Sequence, residues 1–314
     1  MAVTLVEAAK LSTTNLQRGV IETFVQESSI LDRIPLMQIE GNAYAYNEEG
    51  TLPGVAFRSV NEAYTESTGA FNQKSESLVI LGGDADVDKF IQQTRGNLND
   101  QRAVQTRMKV KAAAYKFQDT FFNGDVTVDT KSFDGLKKRL TGAQVLDAAT
   151  NGLGPVAAGH DFFDALDALV ASVPGLNASN GALYANASVI AKIKSSARRL
   201  GGYEMVREAM TQKMVATYNG IPLLDPGMTA AGADILPRTE TQGSSSVASS
   251  VYAVRFGQDE GDRAVTGLTN GGVMVDDLGQ LQEKPAYRTR IEFYCGLAVF
   301  GGKAAARLRG VLAA

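Results

Sequence analysis

Three aspartates at alternate positions, Asp84, Asp86 and Asp88, are the residues of this chain that most resemble a metal site. Carboxylates at positions one, three and five open a calcium loop, which also needs glycine at its sixth position and a bidentate glutamate at its twelfth. Lys89 and Arg95 stand at those two places, so the spacing reads as three side chains sharing the solvated face of a strand. His160 is the one histidine and Cys295 the one cysteine, too few for a zinc site unless carboxylates substitute. Cys295 falls on the apolar side of an alternating run, where a buried, inert thiol is expected. His160 reads as a surface or capping residue, not a catalytic base. Gly152-Leu153-Gly154 with Gly159 has the outline of a phosphate-cradling loop, but no strand precedes it to aim it. The sequence holds no nucleophile elbow, no P-loop and no Cys-x-x-Cys pair. No catalytic, cofactor-binding or metal-ligating residue is assigned, and the expectation is a protein that is not an enzyme and carries no cofactor.

The basic clusters Lys137-Lys138-Arg139, Arg198-Arg199 and Arg307/Arg309 are the remaining candidates. With no aromatic residues interleaved they could touch a nucleic-acid backbone but not read bases. Each is more simply a solvated face, and a net charge of −3 supplies no long-range attraction for nucleic acid.

The elements that would position these residues come next. A chain of 314 residues with 44% hydrophobic and 21% charged side chains can bury a substantial core and make one large or two ordinary domains. A lone cysteine excludes an intrachain disulfide, so the reducing cytoplasm is the natural place of synthesis. The N-terminal residues lack a cationic stretch followed by an apolar core, so no secretory leader is expected. The longest apolar runs fall well short of the roughly 20 residues of a membrane span.

Leu16, Val20, Ile21 and Phe24 recur at helical spacing behind Thr13 and Thr14, which predicts an amphipathic first segment ending before Pro35. GNAYAYNEE alternates with Tyr44 and Tyr46 on one side, and SLVILGGDADVD reads as a second strand. The polar, Gly- and Thr-rich residues between them are too long a loop for a compact domain. An extended hairpin whose missing contacts come from another subunit fits that stretch. A helix follows, from about Leu98 to Phe122, with Val104, Met108, Ala112, Tyr115 and Phe122 as its apolar stripe, stopped by Asn123-Gly124. Residues 146–264 read as an α/β unit. Asp161 caps a helix carrying Phe162, Phe163, Leu166, Leu169, Val170 and Val173, and Asn186 caps one carrying Val189, Ile190, Ile193, Ala197 and Leu200 before Gly201-Gly202. Asn219-Gly220 predicts a two-residue hairpin. GSSSVASS (243–250) reads as a flexible surface segment, and VYAVRFG as a strand. From Tyr287 to Val299 the odd positions are mostly apolar, while Arg288, Arg290 and Glu292 alternate with them, which predicts a long strand with one buried face.

Four segments together are similar to the tailed-phage major capsid family, whose fold is named after phage Hong Kong 97. SLVILGGDADVDKFI resembles the return strand of that family's E-loop running into its spine helix. FQDTFFNGD with FDGLKKRL resembles the exit of the spine helix. ALYANASVIAKIKSSAR with YNGIPLLDPG resembles the helix and hairpin of the axial domain. VYAVRFG, GLTNGGVMVDDLG and EKPAYRTRIEFYCGLAVFGGKAAARLRGV resemble the return to the peripheral domain. The resemblance implies an α+β, Hong Kong 97-like fold with an N-terminal arm over 1–37 and an E-loop over 38–84. It implies a peripheral domain built from 85–145 with 265–314, and an axial domain over 146–264.

It further implies pentamers and hexamers tiling an icosahedral shell around double-stranded DNA, in a virion assembled in the host bacterial cytoplasm. Implied partners are further copies of the chain, a separate scaffolding protein (37 residues before the E-loop leave little room for a fused one), a portal and decoration proteins. Contact with packaged DNA would be non-specific, and no membrane is implied. Lys74 lies in the E-loop, but the family's Lys–Asn crosslink cannot be carried onto it. An encapsulin-type bacterial nanocompartment shares the fold and is the alternative; a soluble α/β enzyme is a remote one.

Overall fold

A computed structural model describes residues 28–95, 101–154, 159–199, 204–207 and 214–312. Its first part runs β1 (Leu36–Gln38), β2 (Ala43–Thr51), β3 (Ala70–Ser77), β4 (Val79–Asp88), α1 (Lys89–Arg95), α2 (Gln101–Asn123), α3 (Leu136–Arg139) and β5 (Val145–Asp147). Then come α4 (Gly159–Ala171), β6 (Gly181–Tyr184), α5 (Ala187–Arg199), β7 (Glu204–Arg207), β8 (Met214–Tyr218) and β9 (Ile221–Leu224). The last part is β10 (Glu240–Gln242), β11 (Ser245–Arg255), β12 (Val265–Gln280), β13 (Ala286–Val299) and β14 (Ala305–Leu312). The amphipathic segment around Leu16 to Phe24, and the Leu200–Gly202 helix end, lie outside the described residues.

The alternating run at the C-terminal end becomes β13, the spine of a four-stranded sheet in the order β1-β12-β13-β4. Ile291, Phe293, Cys295 and Leu297 are buried, as the period of two requires. Helix α2 lies over this face, with Phe117 and Phe293 ring centroids 5.9 Å apart. The core side of α2 is Val110, Ala114, Phe117 and Phe121, not the expected stripe. Of that stripe only Phe122 is buried, while Val104, Ala112 and Met108 are exposed. The helix has apolar residues on two faces, and the sheet selected the one with the larger rings. The helix stops where the sequence predicts, but Gly124 is needed for space and not for a left-handed turn. A Cβ there would collide with the Phe133 carbonyl and sit 2.5 Å from that of Thr120.

The second sheet is eight-stranded, β5-β14-β11-β6-β9-β8-β7, with β10 beside β11. Phe162, Leu166 and Leu169 of α4 and Val189, Ile190 and Ile193 of α5 pack with it in one cluster. Asn186 caps α5 as expected, its Oδ1 accepting the Ser188 amide at 2.9 Å. Asp161 falls inside the first turn of α4 and not before it. Asn219 and Gly220, at φ 51° and 75°, form the turn of the β8–β9 hairpin. Phe122 ties α2 to this second sheet, its ring 5.5 Å from that of Tyr184 and 5.1 Å from that of Tyr252.

Three expectations change. GSSSVASS is not a flexible surface segment: most of it is β11, and Ala248, Ser249 and Ser250 are buried. SLVILGGDADVD does not return the first hairpin; it is β4, paired with β13 from Asp88↔Ala286 to Val79↔Cys295. The return strand is β3, in register with β2 from Ala43↔Ser77 to Glu48↔Asn72. The stretch 265–314 also divides, because β12 and β13 lie in the four-stranded sheet while β14 pairs with β11 and β5 in the other.

Candidate assembly surface

The β2–β3 hairpin is held at its root and, among the described residues, unsupported beyond it. Alternation puts Tyr44 and Tyr46 on one side of β2, where the Tyr46 ring meets Phe300 edge-on at 4.9 Å and Tyr44 meets it at 6.2 Å. The Tyr46 hydroxyl donates to the Val299 carbonyl at 3.3 Å and to Glu76 at 3.4 Å. Burial first, then the nearby Glu76 carboxylate, pushes that phenol well above its ordinary pKa. Tyr44 donates to Glu260 at 3.1 Å. Glu76 in turn accepts from both terminal guanidinium nitrogens of Arg139, at 2.5 and 2.6 Å, with both side chains mostly buried. A forked pair of this kind fixes direction as well as distance, so the hairpin leaves the body at a set angle. Beside the root a cleft of about 1110 Å³ opens against the Phe300–Lys303 turn, with Tyr46 and Phe71 on its hairpin side.

Past Glu48 the pattern changes. Glu48 pairs with Lys74 across the strands at 2.6 Å, and the hydrogen bonds of residues 52–69 stay within the hairpin, as in Ser67 to the Gly54 carbonyl. Leu52, Val55, Phe57, Val60, Tyr64 and Phe71 are all exposed, Val55 and Phe57 almost completely. Full burial of one such side chain is worth about 1.5–3 kcal/mol. A row of them in water marks a surface made for another molecule.

Residues 13–159 match the family described as major capsid protein GP7. Several solved structures are similar over nearly the whole chain. The capsid of the native GTA particle is 13% identical, covers 91% of this chain and 90% of its own, and superposes with a TM-score of 0.64. The holo-SrpI encapsulin complex from Synechococcus elongatus is 19% identical over 88% and 86%, with a TM-score of 0.62. Mycobacterium phage Ogopogo is 12% identical over 91% of each chain, at 0.57. The chain has the Hong Kong 97-like capsid fold. No curated protein matches its sequence.

In this capsid fold the residues first singled out for chemistry have structural duties. Asp84 binds Arg290 through two hydrogen bonds of 2.8 and 3.1 Å, and Asp86 binds Arg288 at 2.7 and 2.8 Å and Lys284 at 2.5 Å. The aspartates are therefore not a merely solvated face but one side of an ionic ladder across β4 and β13. Their guanidinium partners hold both carboxyls below the usual carboxylate range. Among the described residues no cluster of three or more His, Cys, Asp or Glu is arranged to hold a metal. Cys295 is buried, and burial alone pushes its thiol up to about 12. His160 is exposed at the start of α4. Gly152 and Leu153 direct their amides to the Ala149 and Gly310 carbonyls, so the glycine segment is an extra rung beside β14 and not an anion cradle.

Two of the basic clusters are likewise engaged. Lys138 pairs with Asp125 and Asp134, Arg139 with Glu76, Lys137 and Arg307 with Glu240, and Arg309 with Asp147. Arg198 and Arg199 remain exposed at the end of α5. Sequence reading missed Glu76 and Arg139 as the hairpin's clamp, because nothing local connects residues 63 positions apart. No described helix is long and apolar enough to cross a membrane.

Proposed function

We propose that this chain is a major capsid protein that assembles as pentamers and hexamers into an icosahedral shell around double-stranded DNA, and that residues 52–71 clasp a neighbouring copy. The supporting observation is the contrast within one hairpin: a firmly anchored root and a distal half whose large apolar groups stay exposed among the described residues. In this reading 38–84 contains the E-loop, the four-stranded sheet with α2 is the core of a peripheral domain, and most of 146–264 is an axial domain. Scaffold, portal and decoration proteins are the accompanying partners, with assembly in the host cytoplasm before incorporation into a virion.

Tyr46 and Lys74 face each other across the strands, so replacing 47–73 with a short Gly/Ser turn joins them without strain. The product should be soluble and melt cooperatively, yet form no shells in electron micrographs. In the intact free protein, amide exchange over 52–69 should be fast and should slow on assembly. Normal shells from the shortened chain, or a monomer that no longer folds, would sink the clasp. The likeness to the SrpI encapsulin favours one other reading, a nanocompartment, and the contents of purified particles separate the two: packaged nucleic acid supports the capsid, enclosed protein the compartment.

A further inference from the structure

Helix α2 has a second apolar face that stays exposed among the described residues. At 100° per residue, Val104, Met108, Ala112 and Tyr115 fall within an arc of about 80° on the side opposite Val110, Phe117 and Phe121. Met108 is 61% exposed and Val104 40%, and Ala112 is exposed beside them. The preceding helix α1, which contacts α2, also leaves Phe90 and Ile91 in water. Cations line both edges of the stripe. From Gln101 to Gln118 the sequence holds Arg102, Arg107, Lys109, Lys111 and Lys116 and not one carboxylate. By the same rotation Arg107 and Lys111 fall on one edge, and Lys109 and Lys116 on the other. Arg107, Lys111 and Lys116 are exposed, Lys111 reaching over the Tyr115 ring at 5.5 Å, while Arg102 is held against Asp277.

A helix packed on a sheet by one face has no internal need for a second apolar stripe, and lysine and arginine on both edges select the charge of whatever covers it. We propose that the outward face of α2 docks an acidic amphipathic helix of a separate assembly protein. An apolar ridge on that partner would lie along Val104, Met108 and Ala112, and its flanking carboxylates would meet the cationic edges. A nucleic-acid backbone would meet the same cations but gains nothing from an apolar centre, so protein is favoured over DNA. The proposal deepens the shell reading, since it names a partner for assembly.

The test uses the full-length protein and three fluorescent probes: a three-heptad helical peptide with leucines on one face and glutamates beside them, its scrambled isomer, and a short DNA duplex. Anisotropy should show the amphipathic peptide binding and the scrambled one at least tenfold weaker, with affinity falling as salt rises. Val104→Gln with Met108→Gln, both at exposed sites, should weaken peptide binding at least tenfold with an unchanged circular-dichroism melt. Lys111→Gln with Arg107→Gln should flatten the salt dependence. Equal binding of both peptides, no effect of the glutamine pair, or duplex DNA binding more tightly than the peptide would overturn the proposal. A synthetic peptide of residues 1–27 that displaces the acidic helix equally well would overturn it too, by making a second copy of this chain the occupant. Electron micrographs of the same samples separate the two readings. Shells without peptide binding sink only the docking site, whereas no shells under any condition sinks the shell reading beneath it.

Discussion

Two antiparallel pairings in this molecule look alike on paper and differ in what stands behind them. The β4–β13 pair and the β2–β3 pair are both long and rich in charged residues. Behind β4–β13 lies α2, so Ile291 and Phe293 are buried while Asp84, Asp86, Arg288 and Arg290 interlock on the other face. Behind the distal half of β2–β3 lies nothing else among the described residues. Backbone ladders exchange water for protein partners at little net gain, and an isolated two-stranded hairpin is marginal in water. Burial on one face makes a sheet self-sufficient, and the hairpin gets it only where Tyr46 reaches Phe300.

That contrast ranks the expected consequences of damage. The largest belongs to Phe293→Ala, which empties the space between β13 and α2 and should cost about 3–5 kcal/mol in denaturant unfolding. A loss below 1 kcal/mol would mean that α2 does not secure this sheet. Next comes Glu76→Gln at the hairpin root. It leaves the largely buried Arg139 guanidinium without its carboxylate and should cost about 1–3 kcal/mol, with faster amide exchange over 70–77. An unchanged exchange rate there would show that the aromatic contact alone holds the root.

Acid should loosen the β4–β13 ladder by a smaller amount. Asp84 and Asp86 have carboxyl pKa values depressed by their arginine partners. Their contribution is therefore present above the unfolded value of about 4 and is lost as pH falls through the lower folded values. Melting temperature should hold from pH 7 to 5 and drop below 4, and Asp86→Asn should shrink that drop. Asp125, held at about 2 chiefly by Lys138, adds to the same fall. Smallest is Phe57→Ala at the exposed tip, expected within about 0.5 kcal/mol of the parent, although it should lower the yield of shells. A destabilisation above 1 kcal/mol would mean that the tip packs against its own chain after all.

The sequence by itself determined the features whose physics is local. Asn219-Gly220 makes its turn because few other pairs adopt two positive φ angles, Asn186 caps α5 because its side chain reaches the next amides, and β13 is legible because alternation needs no partner to be seen. The emptiness of 52–69 was also readable, since too few apolar groups occur there to order the segment. Only the tertiary structure decided between alternatives that local pattern leaves equal. Helix α2 offers two apolar stripes, and which one is buried depends on a sheet whose strands come from residues 79–88 and 286–299. The Ser-rich start of β11 is a core strand because Glu240 and Arg307 arrive to bond Ser250. Two of the three cationic clusters look solvated until carboxylates up to 162 positions away close on them. In each case the deciding free energy comes from a contact between residues far apart in the chain, and no window of sequence contains both halves of it.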